Sequence, residues 1–217
     1  MRSLVARVHV TLDGVMQAPG GPEEDPTGGF DLGGWAVGYF DDELHRHVEA
    51  AMEEPFDLVL GRRTYEILAA HWPYDTGPVA DRMNAAAKHV ASRTLDRVDW
   101  ANSHLIRGDV ATAVAALKAQ DGPELQVHGC ADLLQTLIGA GLVDEYRLLI
   151  APVVAGSGKR LFGAGARPAG VRLLGAATTP SGVILASYAA DGDIRRGSFA
   201  FEEPTEEERR RRAALEG

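Results

Sequence analysis

The 217-residue chain has 45% hydrophobic residues and a formal net charge of -9. Such a balance is that of one ordinary globular domain, and it argues against general affinity for nucleic acid or anionic membranes, which need a basic face. The one cysteine, Cys130, excludes an intramolecular disulfide and a cysteine-rich zinc site. Apolar runs of membrane-spanning length and a secretory h-region are missing, so we expect a cytoplasmic protein.

Strands and helices alternate over most of the sequence. A β-rich segment at 3–10 precedes a long loop with Asp-Gly and Pro-Gly turns, and a helix follows Asp41 and Asp42. The next predicted elements are a strand at 56–61, a helix from about Thr64, strands at 88–92 and, more weakly, 98–104, a helix at 109–120, a strand at 124–129, a helix at 131–141 and a strand at 145–154. This alternation predicts a largely parallel sheet that is covered on both faces.

The pattern changes towards the C-terminus. Residues 171–190 contain two β-rich runs joined by Thr-Pro-Ser-Gly, which predicts an antiparallel hairpin at the sheet edge. The residues that follow are strongly charged, and Glu206, Glu207 and Glu208 each precede an arginine by four positions, which favours helix-surface ion pairs. We therefore expect one domain over 1–190 and a charged, partly helical extension over 191–217.

Three predicted strand ends carry groups that suit an anion. These are "LGRRTYE" (60–66), "ASRT" (91–94) and "VHGCADL" (127–133). In an open α/β sheet, ligands bind at the carboxyl ends of the strands, where the first N–H groups of a helix are available to a phosphate. Three such ends in one sheet indicate a long ligand with separated phosphates, such as a dinucleotide.

Common motifs of other nucleotide enzymes are absent from the sequence. The first strand is not followed by G-x-G-x-x-G, and "AGSGKR" (155–160) has Arg160 where a P-loop requires Ser or Thr. The H-x-E and P-C-x-x-C motifs of zinc deaminases are missing as well. The dinucleotide site is therefore not of the usual Rossmann kind, and a nucleoside triphosphatase or a deaminase is not expected.

The order of four segments resembles the dihydrofolate reductase fold. It is most similar to the family built on the reductase domain of the bifunctional riboflavin-biosynthesis deaminase-reductase. The segments are "SLVARVHVTLDGVM" (3–16), "LVLGRRTYE" (58–66), "HVASRT" (89–94) and the run from 127 to 162. The resemblance covers residues 3–190. It implies a three-layer α/β/α architecture with a mostly parallel central sheet, and a homodimer whose interface would involve "YRLLIAPVV" (146–154) and the last hairpin.

The same resemblance implies NADPH as the cofactor, because the Gly-Arg-x-Thr turn of dihydrofolate reductase-like proteins binds its phosphate groups. Carried over to this sequence, the cofactor-binding residues are Gly61, Arg62, Arg63, Thr64, Ser92, Arg93, Gly129, Cys130 and Ala131. Ser92 and Arg93 would bind the 2′-phosphate. A separate arginine for that group favours NADPH over NADH. His128 is expected to be a packed residue.

The implied reaction is hydride transfer from NADPH to a C=N or C=O carbon of a small molecule. The candidate catalytic residues are Asp13 and Asp42, and the candidate substrate-binding residues are Thr11, Gly14, Lys159 and Arg160; no metal site is expected. Loop formation by Asp13 and helix capping near Asp42 fit the sequence equally well.

Three functions stay open at this point. If the resemblance extends to the substrate, it is 5-amino-6-(5-phosphoribosylamino)uracil. A dihydrofolate or pterin reductase is the first alternative, since "GRRTYE" (61–66) is closer to dihydrofolate reductase. A non-catalytic dinucleotide-binding module is the second.

Overall fold

A mostly parallel sheet forms the centre of the computed structural model, which describes residues 1–163 and 166–215. Its strands are β1 (Leu4–Thr11), β2 (Phe56–Gly61), β3 (Lys88–Ala91), β4 (Ser103–Ile106), β5 (Glu124–His128), β6 (Glu145–Ala151), β7 (Val171–Thr178) and β8 (Ile184–Ala190). In the described residues they form one eight-stranded sheet in the order β4-β3-β2-β5-β1-β6-β8-β7. β8 runs antiparallel to β6 and β7, whereas the other neighbours are parallel. The predicted fold class is confirmed.

Helices cover both faces of this sheet. They are α1 (Asp42–Ala50), α2 (Arg62–Ala69), α3 (Pro78–Ala85), α4 (Val110–Ala119), α5 (Ala131–Gly139) and, beyond the sheet, α6 (Glu206–Ala213). One core contains Val114 of α4 and Leu134 of α5. A second contains Tyr65 of α2 and Met83 of α3. No helix in these ranges of the chain is long and apolar enough to cross a membrane.

The central strand β1 places side chains of different kinds on the two faces of the sheet. Its even-numbered residues Leu4, Ala6, Val8 and Val10 belong to the core beneath α4 and α5. Arg7 instead donates to the carbonyl oxygens at the end of α1, on the opposite face. Because successive side chains of a strand alternate between faces, this one short segment lines the core and a polar surface at once.

Two elements differ from the sequence prediction. The strand expected at 98–104 begins only at Ser103, because Asn102 has a φ of 58° and Trp100 is buried, with its indole N–H donating to Asn84 Oδ1 at 2.7 Å. Helix α3, which starts at Pro78, was not expected. Its proline at the first helical turn was a signal that the sequence offered.

The charged extension contains the expected helix. Thr205 caps α6, and Glu206 and Glu208 pair with Arg210 and Arg212 at 3.5 and 2.8 Å. The pair expected between 207 and 211 is replaced by one between Glu208 and Arg211 at 2.6 Å. The last two residues of the predicted extension, 216–217, lie outside the described part of the chain.

Candidate functional site

A cleft of about 890 Å³ opens at the carboxyl ends of β2, β3 and β5 and extends over residues 7–9 of β1. One part of its wall, which we call the cationic side, consists of 61–64, 92–94 and 129–133. Another part, which we call the histidine side, consists of the polar residues Arg7, His9 and His128 and the apolar residues Phe40, Val48, Met52, Leu68, Trp72 and Leu149. The volume is in the range of small-molecule and cofactor sites.

Two helices begin on the cationic side without a side-chain cap. The N-cap of α2 is Gly61, which has no side chain, and the N-cap of α5 is Cys130, whose thiol accepts no hydrogen bond from the helix. By contrast, Asp41 caps α1 and Asp109 caps α4. The first N–H groups of α2 and α5 are therefore available to an anionic ligand, which the helix dipoles also favour.

Arginines surround these helix starts. Arg62 donates to Glu66 Oε1 and to Thr94 Oγ1, both at 2.8 Å, so it connects α2 with the segment after β3. Arg63 donates to Thr27 Oγ1 at 3.1 Å. Ser92 Oγ accepts from the backbone N–H of Thr94 at 3.2 Å, which forms the turn that presents Arg93. The structure thus brings together all nine predicted cofactor residues, 61–64, 92–93 and 129–131, in the wall of one cleft.

The turn between β5 and α5 places the thiol of Cys130 against β2. Gly129 and Cys130 have φ values of 65° and 64°, in the left-handed region. The Cys130 sulfur accepts from the backbone N–H of Gly61 at 3.2 Å, and burial raises its pKa to about 11. It is therefore a protonated thiol that connects the turn after β5 with the turn after β2, and it is not a nucleophile.

The histidine side is polar but carries neutral imidazoles. Burial, with a contribution from Arg7, lowers the pKa of His9 to about 4 and that of His128 to about 3. His9 stacks on Phe40 with ring centroids 5.6 Å apart. Arg7 is 8% exposed and donates to Ala51 O at 3.0 Å and to Val48 O at 3.4 Å.

A loop after β1 borders both sides of the cleft. Gln17 donates to Asp25 O and Thr27 O at 2.9 and 2.8 Å, and its Oε1 accepts from the backbone of Lys159 at 3.0 Å. The Lys159 ammonium lies 2.5 Å from Asp25 Oδ2. Lys159, predicted to bind substrate, does line the cleft, but its charge is paired with this loop.

The other predicted substrate residues, Thr11, Gly14 and Arg160, lie outside the cleft wall together with Asp13, where they connect two loops. Asp13 accepts from Thr11 Oγ1 at 2.6 Å and from the backbone N–H groups of 155 and 156, and these hydrogen bonds, that from Thr11 foremost, hold its pKa well below the usual value. Arg160 pairs with Asp13 at 3.2 Å, and Gly14 O accepts from the backbone of Leu161. The catalytic role of Asp13 stays a prediction, while its contacts join two loops.

Asp42 also lies away from the cleft. It is exposed in the first turn of α1, where its carbonyl accepts from Arg46. Its neighbour Asp41 is the N-cap, and Asp41 also accepts from the backbone of Ser181 at 2.8 Å. The catalytic role of Asp42 stays a prediction that its position does not favour.

Residues 2–185 match the family model of the RibD C-terminal domain. The chain belongs to this family. The uncharacterized protein YyaP of Bacillus subtilis (strain 168) is 30% identical over 171 residues, which cover 74% of this chain and 80% of YyaP.

Solved structures of the same fold include a putative riboflavin biosynthesis protein from Shewanella sp. PV-4, which has a TM-score of 0.62 and 20% identity and matches over 87% of this chain and 99% of its own. Dihydrofolate reductase from Enterococcus faecalis, complexed with NADP(H) and RAB-propyl, has a TM-score of 0.55 and 13% identity over 87% of this chain and 96% of its own. The predicted family and its dihydrofolate reductase-like fold are thus confirmed.

The sequence prediction missed most of the histidine side. Arg7 and His9 were visible as polar residues inside an otherwise apolar strand, "LVARVHVT" (4–11), and polar residues at alternate positions of a buried strand are a sign of a functional face. Trp72 was visible too, and its buried indole N–H has no acceptor among the described residues.

Proposed function

We propose that the protein is an NADPH-dependent reductase that transfers hydride to a small heterocyclic or ribosylamino substrate, as a reductase of riboflavin biosynthesis does. The observation that carries the proposal is the meeting of two uncapped helix starts and Arg62, Arg63 and Arg93 in one cleft. Membership of the RibD C-terminal domain family supports an oxidoreductase. The E. faecalis structure, which shares the fold and is complexed with NADP(H), supports the same kind of cofactor.

The residues of the cationic side fit the phosphates of this cofactor. The N–H groups of α2 with Arg62 and Arg63 would hold the pyrophosphate side, and the turn at Gly129 offers a second set of N–H groups. Ser92 and Arg93 would hold the 2′-phosphate. Bound NADPH supplies the hydride, while the chain binds and orients both reactants.

The histidine side would hold the substrate ring. Phe40, Met52, Trp72 and Leu149 offer apolar contacts to a flat molecule and would exclude water from it. Arg7 and the two neutral imidazoles supply the few polar groups that such a pocket needs to fix one orientation.

Calorimetric titration with NADPH and, separately, with NADH tests the cofactor. We expect micromolar or tighter binding of NADPH and a clear preference over NADH. The key variant is Arg93→Ala, which should weaken NADPH far more than NADH. Arg97→Ala is the matched control, because Arg97 is an exposed neighbour paired with Asp99 at 3.1 Å. Equal loss for both cofactors in Arg93→Ala would remove the 2′-phosphate assignment, and failure of the wild-type protein to bind either would end the proposal.

Substrate-dependent oxidation of NADPH separates an enzyme from a binding module. The ribosylaminouracil and dihydropterins are the first substrates to test. Turnover of neither, despite tight NADPH binding, would favour the non-catalytic alternative.

We also propose that the partner is a second copy of the chain. Strand β7 is the edge of the sheet, and its residues Val171, Leu173 and Leu174 are 47%, 53% and 48% exposed. An edge strand with exposed aliphatic residues is a natural place for a second copy to add. Light scattering should give a dimer mass that Leu173→Lys lowers; a monomeric wild-type protein would contradict this.

A further inference from the structure

Two polar residues stand side by side on the histidine side of the cleft. Arg7 of β1 and His128 of β5 are paired in the register of the sheet, and both line the cleft. The guanidinium of Arg7 has more N–H donors than its two carbonyl partners, Ala51 O and Val48 O, can use. Arg7 therefore retains donors for a ligand.

A chain of hydrogen bonds, which we call the relay, leads from Arg147 through Glu124 and Gln126 to His128. Arg147 of β6 binds Glu124 through two N–H···O contacts of 2.8 Å each, one to each carboxylate oxygen. Gln126 Nε2 lies 2.8 Å from Glu124 Oε1, and Gln126 Oε1 lies 2.7 Å from His128 Nε2. Gln126 is 2% exposed, so the central link of this chain of hydrogen bonds is shielded from water.

The relay determines where the His128 proton sits. Both oxygens of Glu124 accept hydrogen bonds from Arg147, so the group of Gln126 that faces Glu124 is its NH₂. The amide oxygen must then face His128, and a ring nitrogen 2.7 Å from that oxygen must carry a hydrogen. Since His128 is neutral, the proton on Nε2 leaves Nδ1 as a bare acceptor.

We propose that Arg7 and His128 form a donor–acceptor pair that recognises the C=O and N–H of a lactam edge on a flat, uncharged substrate ring, with Gln126, Glu124 and Arg147 as positioning residues. The inference rests on the proposed function only in taking the histidine side as the substrate site. A ring that lacks the N–H leaves Nδ1 unpaired, and one that lacks the carbonyl leaves Arg7 unpaired. Such losses give selectivity, because an unpaired buried polar group is costly.

The charges around His128 keep it in this state. Burial is the main reason that its pKa is low, and Arg7 and His9 on β1 lower it further. Glu124, which lies on the same strand as His128, is paired with Arg147 of β6. Arg147 also binds Glu145 at 2.7 Å. The acceptor is therefore present throughout the neutral range.

Nitrogen-15 NMR of histidine-labelled full-length protein tests the tautomer without any ligand. His128 is assigned as the resonance pair lost in His128→Gln. At neutral pH we expect a protonated Nε2 and an unprotonated Nδ1. An Nδ1–H tautomer or an imidazolium would overturn the proposal.

The positioning role is tested by Gln126→Leu, with Gln120→Leu as the matched control at an exposed position. We expect Gln126→Leu to convert His128 to a mixture of tautomers and Gln120→Leu to leave it unchanged. An unchanged tautomer in a folded Gln126→Leu protein would overturn the relay. If that variant fails to fold, Glu124→Gln, which allows the amide of Gln126 to flip, should give the same mixture of tautomers, and an unchanged tautomer in it would overturn the relay.

Recognition is tested with uracil and its N,N′-dimethyl derivative, which keeps both carbonyls and lacks both N–H groups. Uracil should shift the Nδ1 resonance, and the dimethyl compound should bind about three- to tenfold more weakly, as expected for one lost hydrogen bond. Equal binding, or no shift with either, would overturn the lactam assignment. NADPH titration of the same sample is independent, so a failed cofactor proposal and a failed lactam proposal are distinguishable.

Discussion

The two sides of the cleft use the same sheet in opposite ways. The cationic side offers a ligand backbone N–H groups at two helix starts, arginines in the first turn of α2 and an arginine in the turn after β3. The histidine side instead offers side chains of the strands themselves, beneath α1. The comparison teaches that the arginines at the strand ends stay exposed to solvent, while burial keeps the imidazoles on the sheet face neutral.

The largest effect is expected for Gly61→Asp, which should weaken the binding of NADPH to the cationic side. Gly61 has a φ of -78°, and an added Cβ would meet Leu133 Cβ at 3.8 Å, an ordinary contact. The new carboxylate can cap α2, so stability should be kept. NADPH binding should weaken by roughly two to three orders of magnitude, since like charges about 4 Å apart repel by roughly 4 kcal/mol at an effective dielectric of about 20.

Calorimetry and thermal unfolding measure these two quantities for Gly61→Asp. Gly61→Ala is the control that adds the Cβ without the charge. If Gly61→Asp binds NADPH as well as Gly61→Ala does, the phosphates are not at the start of α2.

The next largest effect is expected from acid, which should lower the free energy of unfolding through the two histidines of the histidine side. The folded pKa values of His9 and His128, about 4 and about 3, lie below the usual 6.5, so the unfolded chain binds protons that the folded one does not. Stability should therefore fall as the pH drops from 6.5 towards 4, by about 3 kcal/mol for each of the two histidines, given about 1.4 kcal/mol per unit of pKa difference. Hydrogen bonds, that from the backbone of Leu44 foremost, lower the pKa of Asp41 to about 2, so its contribution is lost only below 3.8.

Urea unfolding at intervals over this pH range measures the effect. The double variant His9→Gln, His128→Gln should show a much flatter dependence. A wild-type dependence no steeper than that of the double variant would mean that these imidazoles are not buried and neutral.

The smallest effect is expected for Asp25→Ala, which should make the loop between the two sides of the cleft more mobile. It removes the pair with Lys159 and a hydrogen bond from Thr27 Oγ1 at 2.5 Å, together worth about 1 kcal/mol for partly exposed groups. Hydrogen exchange of residues 16–29 should become faster, while the strands stay protected. Glu23→Ala, at an exposed position of the same loop, is the control, and equal exchange in both variants would show that the pair does not hold the loop.

Local signals explain which parts of the fold were predictable. β2 was placed from the apolar run that ends at Gly61, and α5 from its apolar spacing closed by Gly141, whose φ is 66°. β4 was misplaced because Trp100 looks like a strand residue but is buried by a tertiary contact, with its backbone N–H donating to Tyr65 Oη at 3.0 Å. Contacts between distant segments leave no local pattern.

For the candidate site, the sequence by itself determined the cationic side, because glycines, arginines and helix starts follow strands in a local order that physical chemistry can interpret. It also determined the alternation that makes the sheet parallel. Only the tertiary structure decided that Asp13 pairs with Arg160, that Asp42 stays exposed, and that His128 stands beside Arg7. These relations depend on which strands become neighbours and on burial that changes protonation, and both arise only when segments more than a hundred residues apart pack together.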